Sequence, residues 1–239
     1  MAGIVLLSGG LDSTVAMALF LEKATLDLAI TFDYGQRAKE KEISASREIA
    51  DHYNIHHEII ALPFLQEQTH TALVNRTTDL PQLEFDQLDN IEKEALKSAH
   101  QVWVPNRNGL FMNIAAVFAE NMGEAVTLIT GFNREEAATF PDNSLGFMNA
   151  MNDCFKYSTQ NTVTVASPTA ALSKSEIVRE GLRLNIPFEK VWSCYENGQR
   201  LCGHCESCLR MKRALISNEA QALVNKLFDT PLFLNFKAN

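Results

Sequence analysis

Short apolar runs recur along the chain, each followed by a stretch with helical periodicity. The first run is Gly3-Ile4-Val5-Leu6-Leu7, and a helix is predicted after it over 14–23. A second run, 28–32, ends in Asp33-Tyr34-Gly35-Gln36 and leads into a charged helix over 39–53. The buried side of that helix is predicted as Ile43, Ile49, Ala50 and Tyr53. Further strands are predicted over 57–62, 125–130 and 162–166. The polar stretch between the third and fourth strands holds a predicted helix over 90–100, then one over 109–121. The latter is apolar on nearly every face and is expected to be buried all round. Ser173-Lys174-Ser175-Glu176 has the spacing of a capping box and opens a helix running through Leu184.

This alternation is the pattern of an α/β fold, a Rossmann-like, doubly wound parallel sheet of about five strands. Residues 1–190 are expected to form the α/β body, and residues 191–239 a small C-terminal appendage packed on it. In such sheets ligands bind beyond the carboxyl ends of the strands, where the strand order reverses. Residues 8–13, 33–36 and 131–135 are predicted to converge there. His56 and His57 begin the third strand, away from that crevice, and read as structural.

The candidate chemistry begins at Ser8-Gly9-Gly10-Leu11-Asp12-Ser13, between the first strand and its helix. A helix N-terminus presents unpaired N–H groups and partial positive charge, so a phosphate chain fits there. Glycine lets the backbone approach the anion and tolerates the turn. No lysine follows at the Walker-A position, which makes a kinase- or GTPase-type loop a poor match. The loop resembles instead the pyrophosphate loop of enzymes that split ATP into AMP and pyrophosphate.

Composition narrows the field. At 239 residues and 46% hydrophobic content the chain supports one large α/β domain, or one domain with a small appendage. A net charge of −8 favours small-molecule substrates over a nucleic-acid surface. No signal peptide or membrane span is predicted, and the expected setting is cytoplasmic. Five cysteines in such a chain are not a disulfide framework. Cys194, Cys202, Cys205 and Cys208 have spacings that suit one structural Zn²⁺ in a closed tetrahedron; an iron–sulfur cluster is the competing reading. Cys154 falls on a helical pattern with Phe147, Met151 and Phe155 and is expected to be a buried structural thiol.

Several further segments carry a resemblance: Phe32-Asp33-Tyr34-Gly35-Gln36-Arg37, Val104-Pro105-Asn106-Arg107-Asn108, Phe140-Pro141-Asp142, Leu172-Ser173-Lys174-Ser175-Glu176, Ser193-Cys194-Tyr195 and the run 202–208. In this order, and over nearly the whole chain, they resemble the 7-cyano-7-deazaguanine synthase family of queuosine biosynthesis, in the ATP-pyrophosphatase (PP-loop) superfamily. The resemblance implies a C–N-bond-forming ligase that turns 7-carboxy-7-deazaguanine, ammonia and ATP into the nitrile through an adenylated carboxylate and an amide. It implies Mg²⁺ on the phosphates, no direct nucleic-acid contact and a homodimer. Under it, Leu7, Ser8, Gly9, Gly10, Leu11, Asp12, Ser13, Thr14, Val15, Ala16 and Met17 form the ATP-binding stretch. Asp12, Ser13, Arg107 and Lys174 are the catalytic candidates, and Tyr34, Gln36, Arg107 and Asp142 the substrate contacts.

The chain departs from the family at Ala138-Thr139-Phe140-Pro141-Asp142-Asn143-Ser144, where Ser-Gly-Tyr commonly precedes Pro-Asp and Cys-Arg follows it. Residues 82–103 also read as longer and more helical than usual, as a lid or partner surface would be. Three alternatives stay open on the sequence: a tRNA-thiolating member of the superfamily, a related ligase acting on a different carboxylate, and a zinc-stabilised nucleotide-binding module without catalysis.

Overall fold

The computed structural model describes residues 2–81, 85, 88 and 94–229. Strands β1 (Ala2–Leu6), β2 (Leu28–Asp33), β3 (His57–Ala61), β4 (Val126–Ile129) and β5 (Val163–Ala166) form one parallel sheet in the order β3-β2-β1-β4-β5. Ile4 pairs with Leu28 on one side and Leu128 on the other, so β1 is central. The helices are α1 (Leu11–Leu21), α2 (Lys39–His52), α3 (Pro63–Gln68), α4 (Glu94–Val102), α5 (Arg107–Asn121), α6 (Arg134–Ala137), α7 (Leu145–Ser158), α8 (Lys174–Arg183), α9 (Glu206–Ser217) and α10 (Gln221–Leu227). None of the described helices is long and apolar enough to cross a membrane.

The strands read as continuous apolar runs because helices cover both faces of the sheet. Successive side chains alternate between those faces. Ile4, Leu28, Ile30, Phe32 and Leu128 join Met112, Ala115 and Phe155 on one side. Val5, Leu7, Ala29 and Ile129 join Val15, Met17, Ile49 and Ile177 on the other. Cys194, Cys208, Met211, Leu215 and Phe228 belong to that second cluster, so the C-terminal segment shares the core of the sheet. The chain reverses direction of winding between β1 and β4, which opens the crevice at the carboxyl end of β1.

The five predicted strands are present within a residue or so of their expected bounds, and the capping box of Ser173 and Glu176 forms as read. Other expectations are corrected. Helix α1 begins at Leu11, not at Thr14, because Gly10 is its N-cap and its carbonyl already accepts from Thr14 N–H at 3.2 Å. Helix α5 is one-sided: Met112, Ala115, Ala116 and Ala119 face the sheet, while Val117 is 62% exposed. On α2, Ala45, Ser46, Ile49 and Ala50 are buried, with Ile43 and Tyr53 only half-buried. Cys154 is exposed. Met148, Met151 and Phe155 form the buried stripe of α7, and at 3.6 residues per turn Cys154 lies about 90° from its centre. The helix expected over 90–100 corresponds to α4; residues 90–93, with residues 82–84, 86–87 and 89 of the predicted lid, lie outside the described residues.

Candidate functional site

Beyond the carboxyl end of β1 lies a cavity of about 280 Å³, lined by the loop after β1, the ends of β2 and β4, and the first turns of α5 and α9. The carbonyl of Leu7 is held by Thr31 Oγ1 at 2.6 Å and Ser46 Oγ at 3.1 Å, which fixes where the loop starts. Gly9 has φ +75°, and a Cβ there would lie 2.7 Å from the Glu42 carbonyl oxygen. Gly131, just after β4, lies so close to α1 that a Cβ would meet Ser13 N at 2.5 Å. Glycine is required at both positions, one for its left-handed backbone and one for the close approach.

The loop is also braced from far along the chain. Trp192 N–H donates to the Gly9 carbonyl at 2.8 Å, and Leu11 N–H donates to Ser193 Oγ at 3.1 Å. Ser8 Oγ accepts from Gly10 N–H at 3.3 Å and lies 3.0 Å from Ser13 Oγ. The hydroxyls and N–H groups of residues 8–13 thus converge at the α1 N-terminus, where anions are favoured.

A charged cluster borders the loop. Lys174, at the start of α8, is only 6% exposed and lies 2.5 Å from Asp12 Oδ2 and 3.1 Å from Glu136 Oε1. Asn133 Nδ2 donates to the same Asp12 oxygen at 3.2 Å. The other oxygen of Asp12, Oδ1, is buried with no hydrogen-bond partner among the described residues. Burial raises the Asp12 carboxyl to about 6 against the opposing pull of Lys174. The two carboxylates outweigh desolvation at Lys174 and hold its ammonium well above the usual range. A second pair, Glu206 and Arg210, reaches the cavity from α9 at 3.0 Å, and Arg210 also bonds Glu135 at 3.2 Å.

Opposite the loop, Arg107 Nη1 donates to the Tyr34 hydroxyl at 3.2 Å. Burial raises the Tyr34 phenol, and Arg107 opposes that shift. Gln36 Nε2 donates to Phe32 O at 3.0 Å and to Glu42 Oε2 at 2.8 Å. Burial pushes the Glu42 carboxyl up to about 7, with the Gln36 bond and the charge of Arg107 acting against it.

The cavity brings together Leu7, Ser8, Gly10, Leu11, Asp12, Ser13, Tyr34, Gln36, Arg107 and Lys174. Gly9 supports the loop from behind, and Val15, Ala16 and Met17 are core residues beneath it. Thr14 Oγ1 turns back to the Gly10 carbonyl at 2.8 Å. Asp142 lies in a 3₁₀ turn and does not line the cavity; its neighbour Asn143 does, and donates to Asp142 Oδ1 at 3.1 Å. His57 bonds Thr31 Oγ1 at 2.8 Å, and His56 pairs with Glu58 at the exposed edge, both outside the cavity. Glu42, Glu136 and Arg210 lie outside every segment the sequence singles out, and Asn133, Ser193 and Glu206 fall within such segments with no role assigned to them; only the fold assembles the six.

Behind the cavity wall, the four sulfurs of Cys194, Cys202, Cys205 and Cys208 lie within 4.8 Å of one another. Glu196 N–H points at Cys194 Sγ at 3.3 Å and Cys205 N–H at Cys202 Sγ at 3.4 Å, an arrangement that favours thiolate charge.

A family model described as "Queuosine biosynthesis protein QueC" matches residues 2–219. The chain is 53% identical over 215 residues to the 7-cyano-7-deazaguanine synthase of Pelotomaculum thermopropionicum, covering 90% of this chain and 96% of that one. It is 48% identical over 216 residues to the protein of the same description from Methanosarcina mazei, covering 90% and 93%. For the corresponding protein of Carboxydothermus hydrogenoformans the identity is 52% over 212 residues, covering 88% and 96%.

Proposed function

Because the chain belongs to the QueC family of queuosine biosynthesis proteins, we propose that it is the ligase that converts 7-carboxy-7-deazaguanine and ammonia into 7-cyano-7-deazaguanine at the expense of ATP. The observation that carries this reading is the loop 8–13 at the α1 N-terminus, opening into the same cavity as the Asp12–Lys174–Glu136 cluster and Arg107. A carboxylate is a poor electrophile at neutral pH. Transfer of AMP to it creates a mixed anhydride that ammonia can attack, and a second activation of the resulting amide permits elimination to the nitrile. The protein's part in each step is positioning and charge stabilisation.

Ser8, Gly10 and Ser13 cradle the departing pyrophosphate, with Gly9 turning the loop behind them. Lys174, released from Asp12 as phosphate arrives, supplies positive charge to it. The unpartnered Oδ1 of Asp12 fits a hard cation, so Asp12 with Glu136 would hold Mg²⁺, which supplies charge neutralisation on the phosphates. Arg107 and Tyr34 face the loop across the cavity and orient the substrate carboxylate, with Gln36 beside them. In the segment that departs from the family pattern, Thr139, Phe140 and Asn143 line the cavity and are the members of that segment that would meet the substrate.

The four cysteines fit Zn²⁺: a compact all-sulfur set, which leaves no position for a catalytic water. Zinc would tie the segment 192–194 to α9 and so hold the Trp192 and Ser193 braces against the loop. Cysteines held as thiols, with no disulfide among the described residues, suit a reducing cytoplasm, and the family resemblance supports a homodimer. The test is product analysis with the deazapurine acid, ATP and ammonium together. The expected products are the nitrile, AMP and pyrophosphate; stoichiometric ADP by phosphorus NMR would reject adenylation.

A further inference from the structure

Four carboxylates line the cavity: Asp12, Glu42, Glu136 and Glu206. Asp12 and Glu136 share Lys174, and Glu206 is paired with Arg210. Glu42 has no ion pair among the described residues. Its Oε2 accepts from Gln36 Nε2 at 2.8 Å, and Gln36 is itself fixed by Phe32 O and by Tyr34 N–H, both at 3.0 Å. Its Oε1 has no hydrogen-bond partner among the described residues. The Glu42 backbone lies against the Gly9 turn, and the residue lines the same cavity as the phosphate loop and the Tyr34–Arg107 pair. Tyr34 and Gln36 face it from the end of β2 and Arg107 from α5. Arg107 acts on it through its field without an ion pair.

The chemistry of the site calls for a base. At neutral pH ammonia is carried almost entirely as ammonium, which has no lone pair to attack with. Resting on the ligase reading above, we propose that Glu42 is the catalytic base that deprotonates ammonium inside the cavity, through its open Oε1. One N–H bond breaks, its proton goes to Oε1, and its electron pair stays on nitrogen. That pair forms the C–N bond to the activated carboxyl carbon, and the C–O bond to phosphate breaks with its electrons leaving on AMP. A proton remaining on the new nitrogen is then lost to water, leaving the neutral amide. The other three carboxylates are poor candidates, because accepting a proton would strand Lys174 or Arg210 as a buried, underpaired cation. A base is also most effective when its affinity for protons lies near the working pH, which burial arranges at Glu42 and a solvated glutamate lacks.

The test uses Glu42→Gln, which keeps the side-chain shape and can still accept from Gln36 but cannot take a proton. Three rates are measured on the same preparations: carboxylate-dependent ATP/pyrophosphate exchange, nitrile formation with ammonium, and hydroxamate formation with hydroxylamine, which is largely unprotonated at neutral pH. Relative to exchange, the ammonium reaction should fall by roughly 100-fold, the scale of a lost general base, and the hydroxylamine reaction by less than about 5-fold. Equal losses with both nucleophiles, or no loss with ammonium, overturn the assignment of Glu42 while leaving the ligase reading intact. Absence of exchange in the parent enzyme overturns adenylation, and the base with it. If Glu42→Gln fails to fold, Glu42→Met, which likewise cannot take a proton, is read by the same ratio of nucleophiles, with the same outcomes deciding.

Discussion

Lys174 is the residue on which the phosphate site balances. Its ammonium is buried and shared by Asp12 and Glu136, so removing it leaves two carboxylates facing each other without a cation. Lys174→Met should destabilise the protein by about 3–5 kcal/mol, the cost of breaking a buried pair from one side. Turnover should fall by roughly 10²–10³-fold if the ammonium also stabilises departing charge. Urea unfolding and steady-state rates check both, and a variant normal in each would remove Lys174 from the site. The capping box located this lysine at the first turn of α8 from sequence, but a first-turn lysine reads equally as solvated. Its burial follows from β4 and α6, which bring Glu136 over it.

Glu42 was hidden for a related reason: Lys39-Glu40-Lys41-Glu42 reads as a charged, solvated face. Its carboxyl rises from an ordinary 4.5 to about 7 on folding, so the folded state binds the proton more tightly than the unfolded chain does. The group therefore penalises folding progressively as pH rises from about 4.5 through 7, and in full above that range. Glu42→Gln removes a penalty on the order of 2 kcal/mol, once partial exposure is allowed for. It should melt a few degrees above the parent at pH 8 and level with it at pH 4; a higher melting point at pH 4 alone would reverse the sign.

At the scale of elements, the strands were legible because the doubly covered sheet makes each of them a compact apolar run. Faces of helices were less legible. The apolar composition of α5 hid its exposed side, and the Phe147–Met151–Phe155 pattern drew Cys154 into a stripe that runs through Met148 instead. The start of α1 was misplaced because its first N–H group is capped by Ser193, a residue 182 positions away. That brace makes the cysteine segment matter to the loop. Cys194 follows directly on Trp192 and Ser193, and Cys205 is the N-cap of α9, whose next residue is the cavity-lining Glu206. Cys205→Ser should therefore lower metal content, melting temperature and ATP/pyrophosphate exchange together. Metal analysis by mass spectrometry should find one zinc per chain in the parent. Iron with labile sulfide would revive the cluster alternative, and full zinc with unchanged melting in the variant would exclude Cys205 as a ligand.

The whole molecule sets the source of nitrogen. The strand order places one crevice at the switch beside β1, and the cavity residues that reach it come from every layer of the fold. A glutamine-dependent enzyme needs a second centre with its own activated nucleophile, usually cysteine, to release ammonia. Of the five cysteines, four are gathered in the sulfur cluster behind the cavity wall. The fifth, Cys154, is exposed on α7 beside Ser158 and lines no part of the crevice. Among the described residues neither histidine nor lysine is in bonding contact with the thiol to activate it. Ammonium should accordingly support nitrile formation by itself, glutamine should not substitute for it, and Cys154→Ala should change the rate by less than about 2-fold, the range of an ordinary surface substitution. Parallel assays with ammonium chloride and with ammonia-free glutamine decide the matter. A glutamine-supported rate that disappears in Cys154→Ala would place a nitrogen-releasing centre on α7 and overturn the assignment of free ammonium as the nitrogen donor.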